Sequence, residues 1–294
     1  GGQGLGSVRS VKPSVIVASS AAKPITEIST ESVASRSTGV NEFDRVLGGG
    51  LVPGAVILLS GEPGVGKSTL LLEVAAKTAQ SGSRVLYVSG EESVGQIRLR
   101  AERTGALSEN LFLASETDLG TVLGQIEATK PDLLVIDSVQ TIAHSEIDGA
   151  AGMPSQIREV ATNLIRVAKD QNLPIVLVGH VTKEGSIAGP KTLEHLVDAV
   201  IMLDGDRHGT LRTLRAAKNR FGSTDELGLL EMGEHGLTGI DDPGRAFIDD
   251  REARAPGAVV APLLEGSRPM LVEVQALVAG AAFGAPRRTG RGLD

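Results

Sequence analysis

One short stretch carries the sharpest chemical signal in this sequence. Gly61-Glu62-Pro63-Gly64-Val65-Gly66-Lys67-Ser68 reads GxxxxGK[ST] and lies between an apolar run and an amphipathic one. Glycines at this spacing let successive backbone N–H groups turn inward around phosphate oxygens, and a helix starting at the end of the loop adds its positive dipole end. Gly61 to Ser68, with the adjoining Thr69, are therefore expected to cradle the phosphates of ATP or ADP. Lys67 would meet the β- and γ-phosphates, and Ser68 would ligate Mg²⁺. A second acid on the magnesium side is expected at Asp137, which closes the apolar run LLVID. Glu91, after the run RVLYVS, is placed to orient or deprotonate an attacking water, with the neighbouring Glu92 as its substitute. A Glu pair is also what the dipole favours at any helix start.

Two further features are less specific on residues alone. Lys218 and Arg220, in LRTLRAAKNR, read on composition as the cations of a solvated edge strand kept from aggregating. Phosphoryl transfer, however, also uses a basic finger supplied by a neighbouring subunit. The stretches 143–154 and 182–191 read as Gly-rich, mobile loops, the second carrying Lys183 and Lys191 as candidate DNA contacts. His180, at the end of PIVLVGH, could sense the γ-phosphate or be an ordinary buried histidine.

The elements that must position these residues follow from periodicity. Fully apolar runs at 55–60, 84–89, 132–137, 174–179 and 199–203 alternate with amphipathic stretches, one of which puts Ile157, Val160, Leu164, Val167 and Ala168 on one helical stripe. Ser93 is placed to cap a helix carrying Ile97 and Leu99, and STGVNEFDRVLGGG reads as a short helix ended by glycines. Buried strands alternating with helices indicate an α/β fold, a P-loop ATPase core whose central sheet is mostly parallel and covered on both faces. After Thr210 the pattern changes to short antiparallel strands around Gly-rich turns, and MLVEVQALV reads as a strand opening another unit. Residues 1–37 read as a flexible leader, 38–254 as the ATPase domain and 255–294 as the opening fragment of a further domain.

Composition narrows the class. Aromatic residues make up only 2% of the chain, so an aliphatic core is required. No run approaches the roughly 20 apolar residues of a membrane helix, and no signal-peptide pattern opens the chain; no membrane partner is expected. With no Cys, thiolate zinc sites and disulfides are excluded within this chain, which fits a reducing cytoplasm. The net charge of −7 argues against a uniformly basic nucleic-acid binder, although a ring needs only a locally basic lining.

Taken together, GEPGVGKSTLLL, YVSGEES, LLVIDSVQT, GHVTKEGSIAGPKTLEHLVD and KNRFGSTDELGLLEM resemble the RadA (Sms) family of bacterial DNA repair proteins, RecA-superfamily ATPases. The resemblance covers the chain from about Ile25 onward, and KNRFGS is its most specific block. It implies a RecA-like core, a homo-hexameric ring of the DnaB helicase kind, single-stranded DNA in the pore, and branch migration during recombination. By motif position it implies Lys67 and Ser68 as nucleotide and magnesium contacts, Asp137 as the second magnesium-side acid and Glu91 as the catalytic glutamate. Lys218 and Arg220 become fingers acting in the neighbouring subunit, and Lys183 meets DNA. The family's four-cysteine zinc finger, which serves contact with the recombinase RecA, has no counterpart here; EGSRPMLVEVQALV and PRRTGRGLD resemble only the start of its Lon-protease-like domain. The alternative from another class is a P-loop regulatory ATPase without a DNA role, of the kind of the circadian clock ATPase KaiC.

Overall fold

A computed structural model describes residues 22–28, 33–180, 192–205, 209–240, 257–278 and 290. The chain divides into two compact units, Gly1–Ala34 and Ser35–Asp294. The described part of the first contains one 3-10 turn, Ile25–Glu27, with no buried residue.

In the second unit the apolar runs become the middle of one nine-stranded sheet. Its parallel part is β1 (Val56–Gly61), β2 (Val85–Ser89), β3 (Leu111–Ser115), β4 (Leu133–Asp137), β5 (Ile175–His180) and β6 (Ala199–Gly205), in the spatial order β3-β2-β4-β5-β1-β6. The antiparallel strands β7 (Leu211–Asn219), β8 (Leu227–Gly233) and β9 (Gly236–Gly239) continue it beyond β6. Successive strand residues face opposite sides, so β1 feeds two core layers. Ile57 and Leu59 pack with Leu70, Leu71 and Val74 of α2 (Lys67–Gln80). Val56 and Leu58 pack with Val122 and Ile126 of α4 (Leu119–Thr129) and with Ile157, Val160 and Leu164 of α5 (Pro154–Gln171). Each fully buried aliphatic of this kind contributes roughly 1.5–3 kcal/mol over an exposed one.

Local chemistry fixes the helix starts. Ser93 and Gln96 form a reciprocal capping box ahead of α3 (Val94–Thr104), and Asp118 accepts from the Thr121 N–H (2.8 Å) at the head of α4. Pro154 opens α5 in the first turn, where its missing N–H is no loss. The short helix α1 (Asn41–Leu47) ends at Gly48 in the left-handed conformation.

Several expectations are revised. The segment LFLAS forms β3, which no fully apolar run announced because Phe112 is exposed at the sheet's edge. β7 is not an edge strand: it runs between β6 and β8 and buries Arg212, Leu214 and Ala216. The helix capped by Ser93 does carry Ile97 and Leu99, the first fully buried and the second 68% exposed. The stretch after β4, read as a mobile loop, is stapled by the buried Gln156. Its amide accepts from His144 N–H (2.8 Å) and donates to the Ile147 and Gly149 carbonyls. The loop 182–191 lies outside the described residues.

The strands β10 (Ala258–Glu265) and β11 (Arg268–Gln275) form a separate antiparallel pair. Arg268 makes a buried ion pair with Glu42 of α1, whose carboxylate also accepts from the Leu229 N–H of β8 (2.7 Å). No helix among the described residues is long and apolar enough to cross a membrane.

Candidate nucleotide and magnesium site

β1 runs into the glycine loop and α2 leaves it, the strand–loop–helix context the motif requires. Gly66 takes φ +113°, a backbone conformation that favours glycine, and a Cβ there would lie 2.5 Å from the movable end of Met232. Lys67 is buried, and its ammonium donates to the carbonyls of Gly61 (2.7 Å) and Glu62 (2.9 Å), folding back along the loop. Burial pulls its pKa below the ordinary lysine value, against the opposing pull of the Asp137 and Glu91 charges. Ser68 and Thr69 follow in the first turn of α2, where backbone N–H groups have no partner within the helix.

Adjacent parallel strands bring the acids to the same end of the sheet. Asp137 closes β4 and is 2% exposed. Its Oδ2 accepts from the Tyr87 hydroxyl (2.7 Å), while Oδ1 is buried with no hydrogen-bond partner among the described residues. A buried carboxylate oxygen left without a donor is costly, and a hard cation satisfies it; the site therefore fits magnesium. Burial, reinforced by the Asp137 charge, pushes the Tyr87 hydroxyl well above its usual pKa, so it stays a donor.

Glu91 lies after β2, where its N–H and that of Glu92 both donate to Ser89 Oγ. Its Oε1 accepts from Ser138 Oγ (2.8 Å) and lies 2.9 Å from His180 Nε2. Burial raises its pKa, but the hydrogen bonds from Ser138 and His180 and the charges of His180 and Lys67 outweigh this and hold the carboxyl below its usual value. Ligating atoms of Glu91, Asp137 and His180 lie within 4.8 Å of one another. Glu92 turns elsewhere and pairs with Arg100 at 2.8 Å. The loop lysine, Asp137, Glu91 and His180 thus share one electrostatic environment, and Glu92 lies outside the cluster.

The finger candidates are bonded within their own chain. Lys218 donates to the carbonyls of Glu194 (2.8 Å) and Val197 (2.7 Å), and burial followed by the Arg220 charge lowers its pKa. Arg220 pairs with Asp198 at 2.9 Å, and Asp198 also accepts from the Val56 N–H at the start of β1 (2.9 Å). Neither cation bonds to the glycine loop or to Glu91 among the described residues. Lys183 and Lys191 lie outside the described residues.

Four residues of this neighbourhood carried no signal that singled them out: Tyr87, Ser138, Asp198 and Arg212. Ser138 stood beside Asp137 and could have been tested as its neighbour; the others act on partners far away in sequence.

A protein-family model described as "AAA domain" matches residues 23–186, more than half of the chain and all of the loop, Glu91, Asp137 and His180. The chain belongs to that family. Beyond this AAA domain, it is similar to the DNA repair protein RadA of Listeria monocytogenes, 50% identical over 275 residues that cover 94% of this chain and 60% of that protein. The DNA repair protein RadA of Mycolicibacterium smegmatis is 52% identical over 290 residues, 97% of this chain and 61% of the relative. That of Bacillus subtilis is 49% identical over 271 residues, 92% and 59%. The resemblance to bacterial RadA therefore runs through nearly the whole chain, the Lys218–Arg220 strand end included, and the chain spans about three fifths of the length of these relatives.

Proposed function

We propose that this chain is the ATP-hydrolysing core of a cytoplasmic, homo-hexameric ring motor that works on single-stranded DNA in homologous recombination and repair, with branch migration as its task. The observation that carries the hydrolytic reading is the state of Glu91: Ser138 and His180 both occupy Oε1, and Oε2 has no hydrogen bond among the described residues. A carboxylate fixed by one oxygen and open at the other is arranged to receive a proton.

On this reading, Lys67 exchanges its bonds to the Gly61 and Glu62 carbonyls for oxygens of the β- and γ-phosphates. Ser68 and Asp137 would hold magnesium, which would supply positive charge to the phosphoryl oxygens. Glu91 orients the attacking water and takes its proton on Oε2, while Ser138 and His180 keep the carboxylate from rotating. Lys218 and Arg220 of the neighbouring subunit neutralise charge that develops on the γ-phosphate, which requires them to leave the Glu194 and Val197 carbonyls and Asp198. Lys183 and Lys191 contact DNA phosphates. The name of the similar proteins, DNA repair protein RadA, supports the DNA role, and contact with a RecA recombinase belongs to the same reading.

The test is ATP turnover with and without single-stranded DNA, alongside mass in solution, for the chain and for Lys67→Ala. Turnover that rises with DNA, a hexameric mass, and loss of nucleotide binding in Lys67→Ala are expected. Turnover indifferent to DNA would favour a regulatory ATPase instead, and normal turnover in Lys67→Ala would remove the nucleotide reading altogether.

A further inference from the structure

Arg212 has no part in the chemistry described above, yet it is only 7% exposed in the middle of the sheet extension. A guanidinium is costly to bury unless its donors are bonded, so its bonds identify its task. Nε donates to the Val65 carbonyl inside the glycine loop (2.9 Å), across 147 residues of sequence. Nη1 donates to the carbonyls of Gly209 (2.7 Å) and Leu211 (2.9 Å), which fixes the plane of the group. The sheet makes room for it: Gly205 is its partner across β6 and β7, and any Cβ at Gly205 would collide with the Arg212 side chain.

The direction of the Val65 carbonyl decides that of the next N–H. The peptide between Val65 and Gly66 is planar and trans, so its carbonyl and its N–H point opposite ways. With the carbonyl drawn outward to β7, the Gly66 N–H is turned toward the inside of the loop, where phosphate oxygens belong. Gly66 has no strong conformational preference of its own to keep that peptide from flipping.

We propose that Arg212 is a positioning residue for nucleotide binding: by holding the Val65 carbonyl it presets the Gly66 N–H toward the phosphates. This rests on the phosphate-loop reading above. Lysine keeps the charge but lacks the planar fork and the Nε donor, so Arg212→Lys is the informative change.

The experiment measures ADP and ATP dissociation constants, kcat at saturating ATP and nucleotide-free melting temperature for the full chain, Arg212→Lys and Lys67→Ala. Arg212→Lys should weaken ADP and ATP about tenfold, the scale of one good hydrogen bond, with kcat unchanged within about twofold. A folded Arg212→Lys protein with wild-type affinity, or one that loses only melting temperature or only kcat, overturns the proposal. If Arg212→Lys does not fold, Gly205→Ala, which keeps Arg212 but crowds its side chain, is read by the same criterion. Lys67→Ala separates the two levels. Nucleotide binding lost there but intact in Arg212→Lys overturns this inference alone, whereas intact binding in Lys67→Ala overturns the phosphate loop itself.

Discussion

Around Asp137 and Glu91 hydrogen-bonding capacity is left over among the described residues, whereas Lys218 and Arg220 are already engaged within their own chain. Among the described residues, Asp137 Oδ1 is buried without a donor and Glu91 is held by one oxygen only. Lys218 and Arg220, on the antiparallel side of the sheet, are bonded to Glu194, Val197 and Asp198 of their own chain. The proposed pocket has capacity to spare for a ligand, whereas the cations would have to give up existing partners before they could serve another pocket. Preorganised groups of the first kind lose function when altered singly, while the second kind contribute only when an assembly offers something better.

The strongest way to break this comparison is Arg220→Ala. If the residue serves a neighbour's pocket, turnover should fall on the order of 10³-fold while ATP affinity stays near normal. Mixing Arg220→Ala with Lys67→Ala should then restore part of the activity, once mass measurement confirms that subunits exchange. A near-neutral Arg220→Ala would mean that its role ends at Asp198.

Glu91→Gln sharpens the pocket side. Hydrolysis should drop roughly 10²-fold or more with ATP binding retained, as for loss of a general base. Glu92→Gln should be nearly silent in turnover, because its carboxylate is directed to Arg100. The reverse pattern would reassign the base.

Tyr87→Phe tests the left-over capacity of Asp137 directly. Losing the hydroxyl leaves a buried carboxylate without its donor, at a cost of about 1–3 kcal/mol. Melting with and without Mg²⁺ and ADP checks it: the deficit should shrink when a cation is available to Asp137.

The smallest effect is expected at Glu226, where the hydrogen bond from Ser267 and the charge of Arg45 outweigh partial burial and hold the carboxyl below its usual value. A carboxyl depressed in the folded state stabilises it above the ordinary glutamate range, and that contribution is lost as pH falls through the lowered value. Stability measured from neutral to acid pH should therefore fall slightly less steeply in Glu226→Gln than in the parent chain.

What the sequence revealed was what is contiguous in it. The glycine loop, the run ending in Asp137 and the cap at Ser93 are local patterns whose partners lie within a few residues, and α5 occupies the stretch its periodicity marked. The partners that complete the site are remote: Tyr87 reaches Asp137 across 50 residues and Ser138 reaches Glu91 across 47. β7 was misplaced for a related reason. Its alternation of basic and small residues looks like a solvated edge, and only the register with β6 and β8 shows that Arg212 points inward. β3 escaped notice because an edge strand with one exposed face has no continuous apolar run.

β7 has a consequence for timing. About eight residues at roughly 3.3 Å each place Arg220, just past the end of β7, some 26 Å beyond Arg212; the strand is laced to β6 along its length, with a register shift opposite Val200 and Ile201, and to β8 from Leu211 to Arg215. Such a strand behaves as a strut: it shifts or twists as one piece far more readily than it stretches. At one end it grips the glycine loop of its own subunit, and at the other it carries the cations proposed for the next. In the ring proposed above, such a strut would couple the filling of one pocket to the position of the cations offered to the next.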